Sequence, residues 1–103
     1  MRISFNKGQL QECKRAMRYY YQIQKQCVLV YGEDFIEKTA TANRLYKLIQ
    51  SLQPNEELDY AEDVLDLFKK AFNLYLLSLD TSYNQGKRRD KYIRQCISLI
   101  GVK

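Results

Sequence analysis

The stretch 58–79, LDYAEDVLDLFKKAFNLYLLSL, decides the fold class. Leu58, Ala61, Leu65, Phe68, Phe72, Tyr75 and Leu79 recur along it at spacings of three and four. An α-helix turns once in about 3.6 residues, so this row lies on one helix face. Val64, Leu67, Ala71, Leu74, Leu76 and Leu77 widen the apolar surface until the helix is apolar nearly all round. A helix of that kind is buried against several neighbours, or part of it meets another protein. Asn55 is the expected N-cap ahead of Glu56 and Glu57, which sets the helix at 56–80.

The same period extends outward on both sides. Before Pro54, the residues Phe35, Ile36, Thr39, Ala42, Leu45, Ile49 and Leu52 give an apolar side to a helix over 34–53. Glu33, Asp34 and Glu37 sit at its start, where the helix dipole favours them, and Pro54 forbids continuation. Further back, Leu10, Cys13, Met17, Tyr20, Cys27 and Tyr31 set a helix over 7–31, with Gly32 as its stop. Beyond the central helix, 80–86 reads as a loop. Ile93, Cys96, Ile97 and Ile100 then face inward from a helix over 87–100. Short linkers make consecutive helices antiparallel neighbours. The expected fold is all-α: an up-down-up-down four-helix bundle (about 7–31, 34–53, 56–80 and 87–100) in a single domain, 1–103.

Composition narrows the chemistry. The 103 residues hold no His and no Trp. Mechanisms that need an imidazole are therefore excluded, His-ligated metal among them. The densest acidic set, Asp59, Glu62, Asp63 and Asp66, is expected on one helix. A di-iron bundle needs Glu from facing helices with Glu-x-x-His, so this set reads as a solvated face. No glycine-rich loop precedes a helix, and no Ser or Thr has a base nearby in sequence. The chain is read as a non-enzyme with no cofactor and no small-molecule substrate. Cys13 and Cys27 fall roughly 21 Å apart on one helix, too far for a disulfide. With Cys96 they read as buried free thiols. Met1 to Gly8 has no apolar core of a signal peptide, and the longest nearly apolar run is Leu74 to Leu79. A cytoplasmic location is expected.

Charge is unevenly spread. The net +5 resolves into +5 over residues 1–30, −5 over 31–80 and +5 over 81–103. On the first helix, Lys7, Lys14, Arg18, Tyr21 and Lys25 fall on one stripe, with Arg15 near it. On the fourth, Lys87, Arg88, Arg89 and Lys91 crowd the expected N-terminus, against the dipole, with Arg94 one turn on. Lys14, Arg15, Arg18, Lys25, Lys87, Arg88, Arg89, Lys91 and Arg94 are therefore candidate contacts to an anion or nucleic acid. A square bundle would set each basic cluster level with an acidic one across a diagonal of about 13 Å, which gives partial internal compensation.

Tyrosine is abundant, at nine residues. Tyr combines an apolar ring with a wet tip, which suits interfaces. Tyr19, Tyr21, Leu29, Tyr46, Tyr60, Leu76, Tyr83 and Tyr92 are the candidate protein interface. The first functional expectation is protein–protein binding by a small adaptor, inhibitor or regulator, with self-association included. Nucleic-acid binding through the two basic clusters is the second. As a basic bundle of about a hundred residues, the chain resembles bacteriocin immunity proteins and small helical phage and plasmid regulators. The first resemblance implies a third expectation, peripheral contact with an anionic membrane surface.

Overall fold

Asn6 opens the longest helix with a reciprocal cap. Its Oδ1 accepts the Gln9 N–H at 2.9 Å, while its own N–H donates to Gln9 Oε1 at 3.1 Å. Two backbone donors that a helix start leaves open are satisfied together. The computed structural model describes the backbone at 2–31, 36–60 and 62–101, and the side chains at 2–26, 40, 42–60 and 64–100. Within these residues the chain is all-α apart from one pair of two-residue strands. Its elements are β1 (Arg2–Ile3), α1 (Lys7–Tyr31), α2 (Ile36–Ser51), β2 (Leu58–Asp59), α3 (Glu62–Ser78) and α4 (Asn84–Gly101). No helix among the described residues is long and apolar enough to cross a membrane.

The helical rows read from the sequence meet in one core. Leu10, Cys13, Met17 and Tyr20 from α1 are buried, as are Ala42, Leu45 and Ile49 from α2. Leu65, Phe68, Phe72 and Tyr75 from α3 join Ile93, Cys96 and Ile100 from α4. Phe68 and Phe72 stack at 5.6 Å between centroids, and Tyr60 meets Phe68 edge-on at 5.6 Å. Both geometries suit the ring quadrupole. Phe35 and the Gly32 stop lie outside the described residues, as do the side chains of Cys27, Leu29, Ile36 and Thr39.

Helix neighbours differ from the square arrangement. Helix α1 packs on α2, α3 and α4, and α3 packs on α4. A square would hold α1 and α3 apart on a diagonal; here they touch. Tyr21 stacks on Tyr46 while Gln50 Nε2 donates to Lys14 O at 3.3 Å, so α1 and α2 run antiparallel. Gln9 Nε2 donates to Gln95 Oε1 at 3.0 Å, and Arg88 lies beside the Gln11–Arg15 turn, so α1 and α4 also run antiparallel.

Two boundaries are corrected. The expected helix start at 56 is replaced by a turn and a strand. Pro54 takes the second position of a turn and Asn55 the third, at φ 64°, and Glu56 N–H donates to Gln53 O at 3.1 Å. Pro followed by a left-handed residue is the type II pattern, and Asn tolerates that conformation better than most residues. An N-cap would instead be extended. The Asn55 N–H donates to Phe5 O at 2.7 Å, and Ile3 and Leu58 face each other across the antiparallel β1–β2 pair. Phe5, 1% exposed, is thereby pinned into the core. Asp59 thus lies on a strand opposite Arg2, apart from the acids of α3.

The second correction concerns α4, which begins at Asn84 instead of 87. Ser82 donates from both N–H and Oγ to Asp80 Oδ1, which holds that carboxyl below its ordinary pKa. The turn folds Asp80 O onto the space a side chain at Gly86 would need, so only glycine fits at position 86. Arg88, Arg89 and Lys91 consequently fall in the second turn, where the dipole's opposition has largely decayed.

Left-handed backbone at Asn55 makes a test. Asn55→Ala should lower stability by about 1 kcal/mol, and Asn55→Gly should leave it unchanged or raise it. Urea unfolding of the two variants checks this; equal losses would contradict the turn.

Candidate functional site

A buried carboxylate organises the space between α1 and α4. Glu12 is only 4% exposed. Such a group is costly in a low-dielectric interior unless both oxygens are partnered. Tyr75 from α3 donates its hydroxyl to Glu12 Oε2 at 2.9 Å, and Arg15 pairs with Oε1. Burial first, then the Glu12 hydrogen bond and charge, push the Tyr75 phenol up to about 12. Arg89 and Arg15 act on that phenol in the opposite direction. Three helices thus meet around one negative charge.

Beside this carboxylate lies a cavity of about 150 Å³. Gln11, Glu12 and Arg15 line it from α1; Gln85, Arg88, Arg89 and Tyr92 line it from α4. The Arg88 guanidinium sits 5.9 Å from the centre of the Tyr92 ring, a cation–π distance. Tyr92 itself lies on Gly8: a Cβ there would come within 2.6 Å of the ring. Glycine at position 8 therefore lets Tyr92 press against α1 and hold Arg88 over the cavity. Arg89 Nε is buried with no hydrogen-bond partner. A second depression of about 260 Å³, lined by Lys7, Leu10, Gln11, Lys14 and Pro54, shares Gln11 as a wall.

The candidate cations divide. Arg15, Arg88 and Arg89 come together at the cavity, and Lys14 lines the adjoining depression. Arg18, Lys25, Lys87, Lys91 and Arg94 are exposed outside both. Arg94 pairs with Asp90 on its own helix. The expected compensation across the bundle is not what joins the clusters: α1 and α4 are direct neighbours, so basic segments from both ends of the chain adjoin. Glu33 and Asp34, and the side chains of Glu37, Glu62 and Asp63, lie outside the described residues.

The tyrosine surface is corrected in part. Tyr60 is buried under the β1–β2 end against Phe68, so it cannot form an interface. Tyr19 packs edge-on to Tyr75 at 6.1 Å, Tyr21 stacks on Tyr46 at 5.4 Å, and Leu76 packs on the core. Their rings and side chains are half-buried because they cover gaps between helices. Among these candidates Tyr83 stays well exposed, at 69%. Leu77 at 84%, with Leu48 and Leu99, is exposed instead.

Sequence reasoning missed Glu12, Tyr75, Gln11 and Gln85 as site residues. Glu12 carried a signal: it shares a helix face with Ala16 and Tyr19, at the margin of the apolar arc. Cys13 and Cys96 are buried free thiols. Burial pushes both up, Cys96 to about 12 with help from the Glu12 charge, so they hold protons at neutral pH. What the cavity offers is guanidinium and amide donors, which suit an anion. No protein-family model, curated protein or solved structure matches the chain.

The Tyr75 proton gives a pH test with a definite sign. Its pKa rises on folding from the ordinary 10 to about 12, so the native state retains the proton longer. The resulting stability is fully present below pH 10 and is lost as pH climbs towards 12. Tyr75→Phe should flatten that alkaline loss in denaturant titrations at pH 9 to 12. An unchanged slope would refute the Tyr75–Glu12 linkage.

Proposed function

We propose that the chain is a small, non-catalytic protein that binds single-stranded nucleic acid across the α1–α4 face. One observation carries this reading: Arg15 on α1 and Arg88 and Arg89 on α4, far apart in sequence, line one cavity. Phosphates supply most of nucleic-acid affinity, and guanidinium matches their geometry. Exposed Arg18, Lys25, Lys87 and Lys91 extend the positive field along the same two helices. The exposed ring of Tyr83 stands two residues before Gln85, a cavity wall, and offers a platform for a base. Free Cys13 and Cys96 support a cytoplasmic setting, where thiols stay reduced.

The test is fluorescence anisotropy with an internally labelled, mixed-sequence single strand that carries phosphate at its ends. Three phosphate contacts would give a slope near −2 for log affinity against log salt. Arg15→Gln combined with Arg88→Gln should lower affinity about tenfold or more and make the slope shallower. No detectable binding at about 50 mM salt would end this reading.

A second reading, association with a protein partner or another copy, is favoured by Leu77, an 84% exposed leucine on α3. It predicts a dimer in sedimentation velocity that Leu77→Ser dissociates. A monomer at all concentrations removes the self-association form.

A further inference from the structure

We infer that the α1–α4 cavity receives the terminal phosphate monoester of the bound strand, and not an internal phosphodiester. This deepens the proposed function and rests on it. Charge makes the first argument. Three guanidinium groups, Arg15, Arg88 and Arg89, face one carboxylate, Glu12, so the lining carries +2. Both Glu12 oxygens already accept hydrogen bonds, from Arg15 and Tyr75, so the carboxylate is held back from the cavity occupant. A phosphate monoester carries about −1.5 to −2 at pH 7, which matches that lining. An internal phosphodiester carries a single charge.

Size makes the second. About 150 Å³ is on the order of five water volumes, enough for one tetrahedral phosphate group. The third argument is Arg89. Its Nε is buried without an acceptor, a costly state for a cationic donor. Phosphodiesters along a strand need only exposed cations, which Arg18, Lys25 and Lys91 supply. The Arg89 guanidinium lines the cavity from a half-buried position and serves a ligand that enters it.

The experiment compares internally labelled single strands of one sequence with a 5′-phosphate, a 3′-phosphate or hydroxyls at both ends. One phosphorylated end should bind about tenfold more tightly than the hydroxyl form, the worth of one charge-assisted contact. Arg89→Gln should bring that ratio close to one, with folding monitored by circular dichroism. Arg88→Gln, at an exposed position, gives the same reading where the half-buried Arg89 substitution fails to fold. Arg94→Gln, outside the cavity, should keep the ratio. Equal binding of all three strands overturns the monoester assignment and leaves nucleic-acid binding standing. Absence of binding by any strand overturns both. A phosphoserine peptide that binds more tightly than the phosphorylated strands overturns the choice of nucleic acid.

Discussion

A carboxylate buried between three helices constrains everything around it. Arg15 and the Tyr75 hydroxyl take the two oxygens of Glu12. The Tyr75 bond fixes the rotation of α1 against α3, since a donor on α3 must reach an acceptor on α1. Burial first, and then the Glu12 charge, raise the Cys96 thiol and the Tyr75 phenol, so these neighbouring acids keep their protons. The cavity is a consequence of this arrangement. Arg15 is committed inward, and Arg88 and Arg89 arrive from α4 with no second carboxylate lining the space. Removing one partner of a buried charge costs far more than the pair contributes, so the node restricts change on all three helices.

Much of the fold was legible because apolar spacing is a local property. The rows through Leu10, Cys13, Met17 and Tyr20, and through Leu65, Phe68, Phe72 and Tyr75, are buried as the period requires. The start of α3 was misread because two signals compete at Pro54-Asn55. Asn before two acids reads as a cap, while Pro then Asn reads as a type II turn. Phe5 O decides between them by accepting the Asn55 N–H, a partner some fifty positions away that no local window contains. The start of α4 was placed late because Gly86 reads as loop punctuation. In the folded chain it is the one residue that clears Asp80 O.

The site was legible in its parts and not in its assembly. Both arginine clusters stand out as residue types in a basic context. Whether they adjoin depends on which helices become neighbours, and several arrangements of four amphipathic helices satisfy the same pattern. Tyrosine misled for a related reason. An amphipathic ring suits an interface between molecules and a seam between helices of one molecule equally well. Tyr19, Tyr21, Tyr46 and Tyr60 fill such seams.

The pairing of Gln9 with Gln95 and Cys96 also has a kinetic meaning. Helical proteins generally fold fast because their contacts are local. Here α1, which touches the other three helices, is made first and one of its covers, α4, is made last of the four. During synthesis the Cys13 flank of α1 waits for Ile93 and Cys96 to emerge. Loop closure over nearly the whole described chain must precede completion of the core, so folding should be slower than helix content alone would set. The half-covered α1 is the surface through which a nascent chain would associate wrongly.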